Sequence, residues 1–238
     1  MLRFISFLLL VLFLGACGSK SYDIKGLWIN AAQFVVTKKD TVWDRRNIIW
    51  ELEDSVFNVY QVNYRNVEML SAPANWTIRD KKLSFKSPIA EESWEIIHQS
   101  ADSLVLKLEK SATPMYWTFS RMKAAPKTSI DTNAIRSFLD NGRFDIEGPT
   151  IAKVMDYPLQ IQFKADKFFV YNVAQIQNNM LLWGAVNFKD RPILLLNSIL
   201  SKQLNHLDMV EIIALEGDKL QGRYFKDGKA YPLTMTKR

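Results

Sequence analysis

The segment Trp94-Glu95-Ile96-Ile97-His98, followed after a short turn by Leu104-Val105-Leu106-Lys107-Leu108, decides the fold class of this chain. Apolar and polar residues alternate in both runs, and a period of two residues is typical of a β-strand with one buried face. Tyr116-Trp117-Thr118-Phe119 follows at a similar spacing and predicts a third strand. Short strands at intervals of about 8 to 12 residues are typical of an antiparallel meander or barrel.

The same pattern extends upstream, so that residues 22–122 are predicted to be β throughout. Trp76-Thr77-Ile78 and Leu83-Ser84-Phe85 are joined by the polar turn Arg79-Asp80-Lys81-Lys82, which predicts a hairpin. Further strands are predicted at residues 26–29, 48–52 and 56–62. No stretch of helical period interrupts them, and about eight strands are enough to close one small barrel.

The second half of the chain begins after a linker at residues 123–131, which is small, polar and contains Pro126. A short helix is predicted at residues 131–139, capped by Asp131 or Thr132 and closed by Asn141-Gly142. Strands are predicted at residues 159–163, 167–173, 180–188, 193–197, 209–215, 220–225 and 231–236, with a second helix at 198–207 and an Asp-Gly hairpin turn at 226–229. We therefore predict a second barrel-like domain at residues 132–238.

The two halves repeat at both ends with one offset. Glu95-Ile96-Ile97 and Asp102-Ser103-Leu104 correspond to Glu211-Ile212-Ile213 and Asp218-Lys219-Leu220, a shift of 116 positions, which also carries Gly26-Leu27-Trp28 onto Gly142-Arg143-Phe144. Such a period is too long for a solenoid and indicates two copies of one domain. The alternative is two unrelated β-domains with similar hairpins. The sequence thus predicts an all-β chain of two small antiparallel meander barrels in tandem, with short helices in the second.

Gly26-Leu27-Trp28 on the first strand and Trp117-Thr118-Phe119-Ser120-Arg121 on the last resemble lipocalin-like domains. The resemblance implies that Gly26 and Trp28 open the barrel and that Arg121 packs over the Trp28 indole, a cation–π contact of about 1 kcal/mol. In the second copy, Phe144 with Lys237 or Arg238 would take these places. Each unit is shorter than an ordinary lipocalin and no Thr-Asp-Tyr motif is found, so the resemblance implies the barrel more firmly than an open ligand-binding calyx.

The N-terminus has the pattern of an export signal. Arg3 precedes an almost unbroken apolar run from residue 4 to 14, which is too short to span a bilayer as a helix but is typical of a signal peptide. Leu14-Gly15-Ala16-Cys17 resembles the lipobox of bacterial lipoproteins. The resemblance implies a signal peptide at residues 1–16, acylation of Cys17, and a tether at 17–21. The alternatives are an uncleaved anchor or an ordinary secretory peptide.

These features predict a protein of the cell envelope, held in the membrane by two or more acyl chains on Cys17. Gly18 follows the cysteine where the inner-membrane retention signal has aspartate, so we expect the outer membrane. Cys17 is the one cysteine, which excludes an intramolecular disulfide and leaves stability to the core. The net charge of +6 is spread over single lysines at turns, so we expect no nucleic-acid partner.

Tryptophans dominate the first half, and two interpretations of them are open. Trp50, Trp76 and Trp94 lie in alternating strands, and His98 follows Trp94 and Ile96 at even spacing, so we expect His98 to point inward. They could line a pocket for an apolar ligand or a sugar. The alternative is that large rings simply fill a small barrel and that His98 is a core residue.

The chain lacks the motifs of catalysis. It has no Gly-x-Ser-x-Gly elbow, no glycine-rich phosphate loop, and no second histidine at metal-ligand spacing from His206, so we expect neither cofactor nor metal. Acidic runs such as Glu51-Leu52-Glu53-Asp54 are interpreted as exposed turns. The leading hypothesis is a non-catalytic binding protein for a small apolar or amphipathic ligand. The alternatives are a structural or protein-interaction lipoprotein with filled barrels and, more remotely, a hydrolase.

Overall fold

The computed structural model describes residues 22–36, 41–44, 47–88, 90–109, 112–124, 130–148, 159–170, 181–197, 207–226 and 228–238. Within these ranges the chain forms eighteen strands and one short helix. This confirms the predicted all-β fold class. No helix in the described ranges has the length and apolar character needed to cross a bilayer.

The first barrel is built from the first ten strands. They are β1 (Gly26–Val36), β2 (Thr41–Asp44), β3 (Ile48–Leu52), β4 (Val56–Val62), β5 (Val67–Met69), β6 (Ala74–Arg79), β7 (Lys82–Lys86), β8 (Glu91–Gln99), β9 (Ser103–Leu108) and β10 (Met115–Arg121). Eight of them form the closed wall, in the order β1-β3-β4-β6-β7-β8-β9-β10, with β10 pairing back onto β1. The short strands β2 and β5, which the sequence did not predict, pair with β1 and β4 outside this path.

The second barrel follows the helix α1 (Thr132–Leu139). Its strands are β11 (Arg143–Glu147), β12 (Leu159–Lys164), β13 (Lys167–Val170), β14 (Leu181–Phe188), β15 (Arg191–Asn197), β16 (Leu207–Glu216), β17 (Lys219–Lys226) and β18 (Lys229–Lys237). They pair in sequence order and close through β11 and β18. Asp131 caps α1 by accepting a hydrogen bond from the Asn133 amide at 3.0 Å. The helix predicted at 198–207 lies almost wholly outside the described residues.

The two barrels share their strand register at the predicted offset. Trp28 pairs with Arg121 where β1 meets β10, and Phe144 pairs with Lys237 where β11 meets β18. A β-bulge interrupts β8 between Ile96 and His98, and another interrupts β16 between Ile212 and Ala214, 116 positions later. Because a bulge inserts one residue at a defined point of a ladder, this coincidence favours duplication of one domain over two unrelated domains.

The described residues form three apolar clusters. One fills the first barrel and a second, which includes Ile135 and Leu139 of α1, fills the second barrel. The third cluster, which we call the interface core, joins the outer faces of the two barrels. Its buried members are Ile29, Ile49, Val62, Met122, Val186, Phe188, Ile193, Leu195, Leu207, Met209 and Phe225. The barrels therefore pack side by side through strand faces that would otherwise be exposed.

Candidate functional site

The interior of the first barrel is packed around the indole of Trp50. Five rings have their centroids between 4.3 and 6.2 Å from it, those of Phe57, Phe85, Trp94, Trp117 and Phe119. These distances are typical of direct aromatic packing, in edge-to-face and tilted arrangements. The rings occupy the space in which an apolar ligand would have to lie.

Of the four predicted pocket residues, the three tryptophans lie in or against one apolar cluster. Trp50 and Trp94 are each 3% exposed in the packed interior, and their indole nitrogens have no hydrogen-bond partner among the described residues. Trp76 is only partly buried, and its Nε1 donates to the carbonyl of Glu53 at 2.6 Å. This places Trp76 beside the β3–β4 turn, from where it packs against the cluster that contains Trp50 and Trp94.

The prediction that His98 points inward is wrong. The bulge in β8 pairs Ile96 with Leu106 and His98 with Val105. Ile97 is therefore an extra residue, and it shifts the alternation of inward and outward side chains by one position. Both Ile97 and His98 are exposed as a result. His98 is therefore neither a core residue nor a ligand to the barrel interior.

The end of the first barrel at which β1 begins, which we call its base, is closed by Trp28 and Arg121. The Trp28 ring is completely buried, and the guanidinium carbon of Arg121 lies 4.6 Å from its centroid. Trp28 Nε1 donates to the carbonyl of Ile24 at 2.8 Å, and Arg121 Nη2 donates to that of Asp23 at 2.6 Å. The segment before β1 is thereby fixed across the base. Gly26, with φ of +115°, makes the bend into the strand.

The base of the second barrel, where β11 begins, is closed differently. Phe144 is buried and packs against Phe138 of α1 at 5.3 Å. Lys237, the register equivalent of Arg121, has its Nζ 5.6 Å from the Phe138 ring. Arg238 Nε donates to both carboxylate oxygens of Asp145, at 2.9 and 2.8 Å. The helix thus takes over the closing role that the N-terminal segment has in the first barrel.

An open groove of about 470 Å³ lies beside α1 at this base. It is lined by Arg136, Ser137, Asp140, Asn141, Lys164 and Trp183. The groove brings together the end of α1, the β12–β13 turn and the start of β14. No sequence motif marks it, because the residues belong to three separate elements.

The groove is held in shape by its own hydrogen bonds. Arg136 Nη2 donates to the carbonyl of Ala185 at 2.8 Å, and the guanidinium lies 5.8 Å from the Trp183 ring centroid. Asp140 accepts from the Ala165 amide at 3.3 Å, and the Phe163 amide donates to the Gly142 carbonyl at 3.0 Å. These bonds tie the turn after α1 to the turn between β12 and β13.

A polar network lies in the contact between the barrels, centred on Glu51. The prediction that Glu51 is exposed is wrong, because the second barrel covers the outer face of β3 and leaves Glu51 4% exposed. Its carboxylate accepts hydrogen bonds from Asn58 at 3.1 Å, from Tyr60 at 2.8 Å and from Lys189 of the second barrel. Burial by itself would raise the pKa of Glu51, but these three hydrogen bonds outweigh it and the pKa is lowered.

A metal-binding group of side chains is absent from the described part of the chain. No group of three or more His, Cys, Asp or Glu side chains there is placed to hold a metal ion. Cys17 lies outside the described residues, so its acylation stays a prediction.

Comparison with known proteins gives little information. No protein-family model matches this chain. No curated protein matches it either. Among solved structures, the chain is similar to an uncharacterized protein from Bacteroides eggerthii DSM 20697, with 12% sequence identity and a TM-score of 0.35, over 42% of this chain and 100% of the other. No functional statement follows from a likeness of this extent.

Proposed function

We propose that this chain is a lipid-anchored protein of the cell envelope that acts through the outer surface of two filled barrels. In this proposal it is a structural or protein-interaction component and not a carrier of an apolar ligand. One observation carries the choice: five aromatic rings pack around Trp50 where such a ligand would lie.

The cost of emptying that interior supports the choice. A fatty acid could enter only if rings such as Trp94 and Trp117 moved outward into water. Each buried aromatic ring contributes roughly 1.5–3 kcal/mol through burial, so displacement of two would offset much of the gain from binding. A small apolar ligand inside the first barrel is therefore the less favourable alternative.

The base of the first barrel is well placed for an N-terminal anchor. Asp23, which is fixed there by Arg121, lies six residues after Cys17. Six extended residues reach about 20 Å at most. An acylated Cys17 would therefore hold this base close to the membrane and turn the opposite end of the barrel away from it.

Exposed apolar side chains supply a candidate contact surface. Met69, at the end of β5, and the adjacent Leu70 are 49% and 51% exposed. They support a role in contacts with another envelope protein.

Intact-mass measurement of the purified chain tests the anchor. We expect a mature chain that begins at Cys17 and carries the mass of its acyl groups, and Cys17→Ser should remove both the acyl mass and the membrane association. Ser19→Ala is the matched control and should behave as the wild type. A mature chain that begins elsewhere, or a Cys17→Ser variant that stays in the membrane as before, would contradict the proposal.

Ligand titration tests the filled interior. Native mass spectrometry of the full-length chain in detergent should show no apolar ligand beyond the covalent acyl groups, and added indole should not bind. Trp94→Ala is the positive control, because removal of one buried ring leaves a dry cavity that accepts a small aromatic molecule. Saturable binding of indole or of a fatty acid by the wild type would favour the ligand-carrier alternative.

A further inference from the structure

We propose that the groove beside α1 binds a monosaccharide that carries one acidic group, a carboxylate or a phosphate. This site lies outside the barrel interior and is independent of the function proposed above. Its argument rests on charge, on fixed geometry and on the size of the groove.

The charge of the groove favours an anion. Its lining contains two cationic side chains, Arg136 and Lys164, and one carboxylate, Asp140. Asp140 already accepts the Ala165 amide, whereas the Lys164 ammonium has no partner among the described residues. A ligand with one negative charge would complement this imbalance.

The guanidinium of Arg136 is positioned before any ligand arrives. One Nη2 hydrogen goes to the Ala185 carbonyl, which leaves most of its five N–H donors without a partner in the described structure. Arginine presents these donors in a planar fork that matches the two oxygens of a carboxylate or phosphate. Because the side chain is already held, less conformational entropy is lost on binding.

The end of α1 does not cancel this positive charge. A helix C-terminus carries partial negative charge on its free carbonyls. Here the Phe138 carbonyl accepts from Lys237 Nζ at 3.4 Å, and the Leu139 carbonyl accepts from the Gly142 amide at 3.0 Å. These bonds reduce the negative potential that an approaching anion would meet.

The size and the remaining lining favour a hydroxylated ring over a bare ion. A volume of about 470 Å³ is within the range of about 300–1,000 Å³ typical of small-molecule sites and exceeds what inorganic phosphate fills. Ser137 and Asn141 place a hydroxyl and an amide on one wall, and Asp140 has a second oxygen able to accept a hydrogen bond. Sugar hydroxyls would pair with these groups.

Isothermal titration calorimetry of the full-length chain in detergent tests the proposal. The probes are glucuronate, glucose 6-phosphate, glucose and inorganic phosphate. We expect at least one of the two acidic sugars to bind about tenfold or more tightly than both glucose and inorganic phosphate, with an affinity that falls as salt is added. Which acidic sugar binds better will distinguish a carboxylate from a phosphate as the preferred group.

Two variants locate the binding. Lys164→Gln should weaken it about tenfold, while Lys86→Gln, which removes an exposed lysine of the first barrel, should leave it unchanged. Arg136→Lys keeps the charge but loses the planar fork of donors, and should also weaken binding. Absence of binding by both acidic sugars, equal binding of glucose, or equal effects of Lys164→Gln and Lys86→Gln would overturn the proposal.

Discussion

The two barrels have an ion pair at equivalent positions, but only one pair is buried. In the first barrel, Glu95 and Lys107 lie 3.8 Å apart and are 48% and 37% exposed. In the second, Glu211 is fully buried, with Arg223 at 3.2 Å and Arg191 at 2.6 Å. Strand register is the same in both barrels, so the difference in burial of the two ion pairs arises from what covers the outer face of each barrel. Glu211 shares its face of β16 with Met209, which belongs to the interface core.

The interiors of the two barrels also differ at equivalent positions. Trp94 and Trp117 of the first barrel correspond in register to Val210 and Leu233 of the second, which are buried but much smaller. In the second barrel, Ile135 and Leu139 of α1 enter the core and supply apolar volume. At these two positions, one ladder pattern thus accommodates large rings in the first barrel and smaller side chains, supplemented by an added helix, in the second.

Trp94→Val should have the largest effect, because it gives the first barrel the residue of the second without the helix that fills the space. We expect a loss of about 3–5 kcal/mol in the free energy of unfolding, the range for removing a large buried ring. Urea unfolding followed by circular dichroism measures it. Val210→Ala, a smaller truncation at the equivalent position, should cost less, and equal costs would show that the interiors are not filled differently.

Glu211→Gln should have the next largest effect. The change leaves Arg191 and Arg223 without a counter-charge, and removal of one partner from a buried ion pair costs about 3–5 kcal/mol. Glu95→Gln is the matched control at the equivalent exposed position, where we expect a change of no more than about 1 kcal/mol. Similar losses in the two variants, again by urea unfolding, would contradict the difference in burial.

Gly184→Ala tests how closely the two barrels approach. A Cβ at this position would overlap the backbone of Tyr64 in the first barrel, and overpacking of this kind costs about 1–3 kcal/mol. Gly217→Ala is the control for backbone strain alone, since Gly217 has φ of +57° and open space around its Cβ. If Gly184→Ala acts on the contact, one cooperative thermal transition should separate into two, which Gly217→Ala should not cause.

The sequence predicted the strands well because apolar and polar residues alternate wherever a strand has one buried face. The bounds of β3 and β4 agree with the prediction, and the start of α1 follows from its Asp131 cap. His98 could not be placed in this way, because a bulge shifts the alternation by one residue without a change in composition. The groove was not predicted either, since Arg136, Lys164 and Trp183 meet only through the tertiary fold.

The sequence does contain a pattern that indicates contact between the barrels: some strands are apolar on both faces. Ile193-Leu194-Leu195-Leu196 of β15 is an unbroken apolar run, and such runs indicate burial on both sides. Ile48-Ile49-Trp50 of β3 shows the same feature. Period-two alternation identifies the inward face of a strand, whereas these runs identify the part of the outer face that another element covers.

Arg121→Met should separate the two ways of closing a barrel base. Loss of the contact with Trp28 and of the hydrogen bond to the Asp23 carbonyl should cost about 1–2 kcal/mol. Lys237→Met, the register equivalent, should cost no more than about 0.5 kcal/mol, because α1 closes that base. Unfolding in urea compares them, and a larger cost for Lys237→Met would reverse our assignment.

A pH titration of stability should show the smallest effect, and it reports on the contact between the barrels. The folded-state pKa of Glu51 is lowered from its ordinary value of 4.5, despite burial, by hydrogen bonds from Lys189, Tyr60 and Asn58. Its stabilising contribution is therefore fully present above pH 4.5 and is lost as the pH falls through the lowered pKa. Glu51→Gln should make the melting temperature less dependent on pH in that window. An unchanged dependence in Glu51→Gln would mean that the carboxylate gains no net stabilisation from its partners.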